Sequence, residues 1–308
     1  TNLIFFRPFS PMVTYYGDLE SKQTVLKPNF AALMVDLFMK AGLKKGDDIA
    51  VSMTGSMPGA NIALYAACEA MDVTPIVISS VGASQHGATD SNFTWLDMEK
   101  ILYDKKIISN KSVGASLGGN NDIYGEKELK GIIYGGKNGA QLAKKNIIDN
   151  GFSLPMEGWK ERKEKYEEHV NELKEYDAYV NIGGSQSSMG ARGNRLLDKK
   201  AGLISSKYII EKELNPGIAL EFANQDVMLI NIQNIPELIK NEKGEKLIEY
   251  GGKKGETGEG LLFYSERYST LSTLLALLLS LGLVSIVGIK SYKEINKHMN
   301  SYEAESIL

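Results

Sequence analysis

The chain has 308 residues, enough for one large domain or two modest ones. Its formal net charge is −3 and its isoelectric point is near 5.8, which argues against a nucleic-acid-binding protein, because such proteins usually present a strongly basic face. Cys68 is the only cysteine, so an intrachain disulfide is excluded, and its place on the apolar side of a predicted helix indicates a buried small side chain. The chain begins with Thr1 rather than Met, so we expect a processed, trimmed or partial sequence.

The first 41 residues contain one strongly periodic segment. Residues 1–27 have apolar side chains without a sustained period and predict an arm packed on the domain, with a polar turn over residues 17–22. Pro28 then begins a predicted helix with one apolar stripe, and Gly42 is a plausible C-cap.

Residues 46–84 predict a βαβ unit around which the domain is organised. Apolar and small side chains alternate from Ile49 to Met53, helix formers follow over residues 61–71, and a short β-branched run spans residues 74–80. A strand, crossover helix and second strand need about 30 residues, which this segment provides. Open α/β sheets usually bind ligands at the carboxyl ends of such strands.

The rest of the amino-terminal part continues the same alternation. Thr94 and Asp97 have the spacing of a capping box. Further strands are predicted at residues 112–117, 179–182, 219–222 and 227–232, and further helices at residues 139–148, 158–175 and 236–240. The dense charge of the 158–175 segment indicates a solvated helix face with i,i+4 ion pairs. The predicted fold is α/β, a mostly parallel sheet flanked by helices in Rossmann-like layers over residues 1–242, as one body or two lobes.

The carboxyl-terminal part has the composition of a membrane anchor. Residues 243–267 are rich in Gly, Lys and Glu and predict a flexible linker or hairpin. No charged residue occurs over residues 268–289, which are long enough to cross a bilayer and are flanked by aromatic residues. The alternative is a buried helix of a soluble core. We expect a membrane protein, single-pass or anchored at both ends, with a short tail over residues 290–308, while lysines on both sides of the span leave its orientation open.

Several Ser/Gly-rich loops follow the predicted strands, and free backbone N–H groups in such loops favour anions. We therefore predict a carboxylate- or phosphate-binding cleft where these loops meet at one sheet edge, unless they are only well-made turns. The candidate ligand-binding residues are Thr54, Ser56, Ser79, Ser80, Ser84 and Ser185.

Catalytic candidates lie in the richest of these loops. His86 could serve as a base for Ser84, with Asp90 nearby, although the plainer interpretation is a loop histidine with one hydrogen bond. The G-x-S-x-G elbow, the Walker A sequence and the G-x-G-x-x-G fingerprint do not occur in this sequence, so no nucleotide or other cofactor is predicted. No metal-ligand spacing occurs either; Asp90, Asp97 and Asp122 could coordinate a cation, but nothing in their spacing requires one.

One longer pattern resembles a known family. Its segments are GDLESKQT (17–24), PNFAALMVDLFMKAGLKKGDDIAVSMTGSMPGANIA (28–63), PIVISSVGASQHGATDSNFTWLDMEKILYD (75–104) and SVGASLGG (112–119). Residues 17–120, and more weakly the GGSQSSMG loop near residue 180, resemble the poly-gamma-glutamate system protein family (PgsW-like). The resemblance implies a membrane-associated bacterial protein of the machinery that makes, exports or processes poly-γ-glutamate in the cell envelope, with the domain outside and the tail in the cytoplasm. It supplies no catalytic residues.

Three functions remain open on this basis. The first is an accessory protein that binds the anionic polymer or its synthase subunits at the membrane. The second is a hydrolase or transferase acting on γ-glutamyl amide bonds through a serine or threonine. The third is sugar-phosphate binding, by analogy between the loop after Met53 and the loops of SIS domains.

Overall fold

The computed structural model of this chain describes residues 10–124, 126–129, 132–190, 200–205, 217–241 and 269–305. The chain divides into two compact units, Thr1–Phe263 and Tyr264–Leu308. The predicted linker over residues 243–267 lies outside the described residues, as do residues 1–9 of the predicted arm.

The first unit alternates strands and helices along the chain. Its described strands are β1 (Val13–Tyr15), β2 (Asp48–Thr54), β3 (Thr74–Ser80), β4 (Ala83–Ser84), β5 (Gly114–Ser116), β6 (Glu126–Leu129), β7 (Ile132–Gly135), β8 (Ala178–Ile182), β9 (Gly202–Ile204) and β10 (Met228–Ile232). Its described α-helices are α1 (Leu19–Thr24), α2 (Pro28–Ala41), α3 (Pro58–Met71), α4 (Trp95–Asp104), α5 (Gly136–Asp149), α6 (Gly158–Glu167), α7 (Gln186–Met189), α8 (Gly217–Asn224) and α9 (Ile235–Asn241). The second unit contains the helix α10 (Thr270–Glu305).

The main sheet is mostly parallel, as predicted, and its strand order places a crevice at the centre. Over the described residues it has six strands in the order β5-β3-β2-β8-β10-β9, with β9 antiparallel to β10 and the other pairs parallel. The chain moves outward from β2 through β3 to β5, and then crosses to the other side of β2 to form β8 and β10. Strand order therefore reverses between β2 and β8, which is where open α/β sheets bind ligands.

Helices cover both faces of this sheet, so its strands are buried on both sides. On one face, Ile49, Val51 and Met53 of β2 pack in a core with the apolar stripes of α2 and α3. On the opposite face, Ala50 packs with residues of α6 and α8. This alternation explains why β2 and β3 read as short apolar runs in the sequence.

Local predictions with strong periodicity are confirmed. The strand Thr74–Ser80 has the predicted bounds, and Gly42 ends α2 in the left-handed conformation, with φ of 86°. The capping box of Thr94 and Asp97 begins α4, and Cys68 is buried on α3, where burial raises the pKa of its thiol.

Two short segments were predicted wrongly. Residues 219–222 belong to the helix α8 rather than to a strand, because a short apolar run cannot separate a buried helix from a buried strand. The predicted polar turn over residues 17–22 contains the start of the helix α1, for which the Asp18 carboxylate caps the amino end by accepting from Ser21 N at 2.8 Å.

The charged segment over residues 158–175 is only partly a solvated helix face. The helix α6 ends at Glu167, and a separate 3₁₀ turn covers Leu173–Glu175. Arg162 and Tyr166, four residues apart on α6, are fully buried, so one face of this helix packs on the sheet.

The helix α10 has the length and composition of a membrane span. Within Thr270–Ser301, the most apolar window of 18 residues has a mean hydropathy of 2.3, and none of that window is buried. The helix continues through residues 290–305, which the sequence predicts as a short tail after the span. One helix of this kind is weak support for a membrane anchor.

Candidate functional site

A cleft of about 340 Å³ lies at the carboxyl ends of three adjacent parallel strands, a size common for small-molecule sites. Thr54 ends β2, Ser80 ends β3 opposite it in the register, and Gly183 follows β8. Five of the six predicted hydroxyl residues line this cleft: Thr54, Ser56, Ser80, Ser84 and Ser185. The structure therefore brings together loops that are separated by up to 131 residues in sequence, counting from position 54 to 185.

Ser79 does not line the cleft. Its side chain points to the opposite face of the sheet from that of Ser80, because successive side chains of a strand alternate. There the Ser79 hydroxyl lies 2.7 Å from the Ser112 hydroxyl and accepts a hydrogen bond from Trp95 Nε1 at 3.1 Å. Its role is structural.

His86 and Asp90 also lie outside the lining of the cleft. His86 has a left-handed backbone, with φ of 63°, just beyond Ser84. The Asp90 carboxylate accepts from Asn92 N at 3.0 Å and stabilises its own turn. The basic group that contacts Ser84 is Lys22.

Lys22 is the charged residue of the cleft that the sequence interpretation missed. It belongs to α1, is only 3 % exposed, and lines the cleft. Its Nζ donates to Ser84 Oγ at 2.8 Å and to the carbonyl oxygen of Ser56. Among the described residues it is the only lysine or arginine of the cleft lining, and no carboxylate lies within ion-pair distance of it.

Burial makes the Lys22 ammonium lose its proton more readily than that of an exposed lysine. Desolvation lowers the pKa of Lys22 to about 7, and attraction to the Asp18 carboxylate offsets this only in part. The Asp18 pKa is itself lowered, chiefly by the hydrogen bonds that its carboxylate accepts from Ser21. The Lys22 amine therefore loses its proton at a much lower pH than an exposed lysine does.

Hydrogen bonds hold Ser84 against the loop that follows β2. Ser84 N donates to Ser56 Oγ at 3.0 Å, and Ser56 N donates to Thr54 Oγ1 at 3.2 Å. Gly183 has φ of 95°, and a Cβ atom there would lie 2.2 Å from Thr54 Oγ1. A glycine is thus required where the loop after β8 approaches Thr54.

Two further polar groups of the cleft lining lack partners in the described structure. Ser185 is 4 % exposed, and its Oγ has no hydrogen-bond partner. Gln233 Oε1 is likewise buried and unpaired. Buried polar atoms normally have hydrogen bonds, so these two are suited to a ligand that enters the cleft.

A buried ion pair contacts the cleft lining through Ser80. Arg162 of α6 donates to Asp122 through Nε and Nη2, each at 3.0 Å, and both side chains are fully buried. Arg162 Nη2 also donates to the hydroxyls of Ser80 at 3.0 Å and Ser116 at 2.8 Å. Asp122, a candidate cation ligand in the sequence, is therefore the partner of an arginine.

Asp97, another of the three candidate cation ligands, also has a structural role. Its carboxylate accepts from Thr94 N at 2.7 Å, Asn146 Nδ2 at 2.9 Å and Asn150 Nδ2 at 2.9 Å, which joins α4 to α5. Within the described ranges, no group of three or more His, Cys, Asp or Glu side chains could hold a metal ion.

Comparison with known proteins adds no family assignment. No protein-family model matches the chain, and no curated protein or solved structure is significantly similar to it.

Proposed function

We propose that this chain is a membrane-anchored component of a bacterial poly-γ-glutamate biosynthesis or export system. In this proposal the α/β unit lies outside the cytoplasm, α10 anchors it, and the cleft binds γ-linked glutamyl units of the polymer. The observation that carries the proposal is Lys22, a buried amine of the cleft lining that donates to the Ser84 hydroxyl and the Ser56 carbonyl oxygen and has no carboxylate within ion-pair distance among the described residues.

The chemistry of the lining suits a γ-glutamyl unit. Such a unit presents a carboxylate together with an amide N–H and an amide carbonyl. The Lys22 ammonium supplies a charge-assisted hydrogen bond to the carboxylate, and Ser185 supplies a hydroxyl donor. The Asp18 carboxylate, which also lines the cleft, can accept from an amide N–H.

Isothermal titration of the full chain in detergent micelles tests this proposal. The ligands are a γ-linked glutamate oligomer, an α-linked oligomer of equal length, and glucose 6-phosphate as the sugar-phosphate alternative. We expect the γ-linked oligomer to bind best, and Lys22→Met to weaken it about tenfold or more, because a charge-assisted hydrogen bond is lost.

The matched control is Lys105→Met, since Lys105 is an exposed lysine outside the cleft lining. Ser84→Trp, which places a large side chain in the cleft, should abolish binding. Equal affinity of Lys22→Met, Ser84→Trp and the wild type for the γ-linked oligomer would reject the cleft as its site. Preferential binding of the sugar phosphate would favour the third function instead.

A further inference from the structure

The contact between Ser84 and Lys22 has the geometry of a nucleophile and its base. Ser84 is half-buried, lines the cleft, and has its Oγ 2.8 Å from Lys22 Nζ. The Ser56 carbonyl oxygen accepts a second hydrogen bond from the same Nζ, and Ser56 Oγ holds the Ser84 backbone. A hydroxyl within hydrogen-bond reach of a base that a third group orients is the arrangement by which serine nucleophiles are activated, and lysine is a known variant of that base.

The surroundings of Lys22 allow the free amine to form near neutral pH. Asp18 is the charged group that faces it, and the hydroxyl-bearing Tyr15, Tyr16 and Tyr124 also line the cleft. Burial raises the pKa of Tyr124, so this phenol stays neutral. Once deprotonated, Lys22 can keep one N–H on the Ser56 carbonyl and direct its lone pair at the Ser84 hydroxyl.

We propose that Ser84 and Lys22 form a catalytic dyad, with Ser84 as nucleophile and Lys22 as general base, that cleaves or transfers the acyl group of an amide bound in the cleft. The substrate class, a γ-glutamyl amide, rests on the function proposed above. The dyad itself rests on the contact between the two side chains and on their position in the cleft.

The reaction balances with water or an amine as the only co-reactant. Ser84 Oγ attacks the amide carbonyl carbon and forms a C–O bond while its proton passes to Lys22 Nζ. Lys22 then gives that proton to the amide nitrogen, the C–N bond breaks, the amine leaves, and an ester remains on Ser84. Water or a second amine attacks the carbonyl carbon of this ester while Lys22 accepts its proton. The C–O bond to Ser84 then breaks, Lys22 returns the proton to Ser84 Oγ, and a carboxylic acid or a new amide is released.

Two unpaired polar groups of the lining can hold the substrate amide in place. Ser185 Oγ and Gln233 Oε1 are buried and without partners in the described structure. A bound amide can satisfy both, the hydroxyl by donating to an acceptor oxygen and the glutamine oxygen by accepting from an N–H. Their hydrogen bonds would position the substrate amide and leave the attack to Ser84.

A fluorophosphonate probe tests the dyad without assuming a substrate. The full chain in detergent micelles is treated with the probe from pH 6 to pH 9, and the modified residue is identified by peptide mass spectrometry. We expect an adduct at Ser84, with a labelling rate that rises about tenfold between pH 6 and pH 8 as the Lys22 amine loses its proton.

Variants assign the two roles. Ser84→Ala should lose the adduct, and Lys22→Met should slow labelling by about 100-fold or more, the effect typical of losing a general base. The matched controls are Ser153→Ala and Lys105→Met, because both residues are exposed and outside the cleft lining. Circular dichroism of each variant tests for folding, and the wild-type pH profile gives a readout that needs no variant.

The substrate is tested separately with a γ-linked glutamate oligomer, by detection of a glutamyl ester on Ser84 and of shortened chains. A labelling rate that does not change with pH, or labelling that persists in Ser84→Ala, would overturn the dyad. Binding of the oligomer with an unreactive Ser84 would also overturn it and would leave the polymer-binding function standing. A reactive Ser84 in a cleft that does not bind the oligomer would support the dyad and reject the proposed substrate.

Discussion

Lys22 illustrates how one residue joins stability to function. A lysine removed from water without a carboxylate partner destabilises the fold when charged, because its ammonium loses hydration that two hydrogen bonds replace only in part. Proteins accept such a cost chiefly at sites that use the charge or the free amine. The functions proposed here use both forms of Lys22. The ammonium binds a carboxylate of the ligand, and the free amine accepts the proton of Ser84.

The lowered pKa of Lys22 predicts a pH-dependent stability. The folded pKa is about 7 against a model-peptide value of 10.5, so between these values the unfolded chain binds more protons than the folded one. Stability therefore rises with pH across this window, by up to about 1.4 kcal/mol per pH unit. We expect the free energy of unfolding of Lys22→Met, minus that of wild type, to fall as pH increases from 7 to 10.5.

Urea denaturation of the full chain in detergent micelles at several pH values measures this difference. The Lys105→Met variant should show a constant difference, because Lys105 is exposed. A constant difference for Lys22→Met would show that Lys22 keeps its ordinary protonation in the folded chain.

At the scale of elements, Arg162 joins α6 to the sheet beneath the cleft. Besides Asp122, it donates to Ser52 of β2 at 3.3 Å, Ser80 of β3 and Ser116 of β5. Three parallel strands and the turn that carries Asp122 therefore share one guanidinium. Because Ser80 also lines the cleft, this hydrogen-bond network holds one side chain of the cleft lining in place.

Breaking this network should destabilise the domain strongly. Arg162→Met leaves the Asp122 carboxylate buried without its partner, and we expect a loss of about 3–5 kcal/mol in the free energy of unfolding. The control is Lys163→Met, the next residue of α6, where the half-exposed ion pairs with Glu167 and Glu221 should contribute less than about 1 kcal/mol. Similar urea midpoints for both variants would contradict the structural role of Arg162.

At the scale of the whole molecule, the chain consists of two units, one built on the sheet and the other containing the long helix α10. Large apolar side chains such as Leu279, Leu283 and Val284 are each more than half exposed on this helix. A run of this length and composition is typical of a membrane span.

We expect the full chain to remain in the membrane pellet after alkaline carbonate extraction. Leu278→Arg combined with Leu281→Arg should release it, since each arginine near the centre of a span costs about 2.5–3.5 kcal/mol on insertion. The control pair, Ile107→Arg with Leu154→Arg, makes comparable changes at exposed positions of the first unit and should stay in the pellet. Extraction of the wild-type chain by carbonate would rule out an integral anchor.

The amino-acid sequence by itself determined the features that depend on neighbours along the chain. The βαβ unit, the Gly42 C-cap, the Thr94–Asp97 capping box and the apolar composition of α10 follow from local periodicity and local hydrogen bonding. The grouping of Thr54, Ser80 and Ser185 was also predictable, because parallel strands end at the same edge.

Only the tertiary structure decided which polar side chains are buried together. Ser79 and Ser80 are adjacent in sequence but face opposite sides of the sheet, and Lys22 and Arg162 lie in polar segments that resemble solvated surface. The burial of a lysine or an arginine depends on what packs over it from distant parts of the chain, 62 residues away for Ser84 and Lys22. Local composition does not indicate which distant residues will be in contact. The pairing of Ser84 with Lys22, on which the catalytic proposal rests, could therefore be identified only from the tertiary structure.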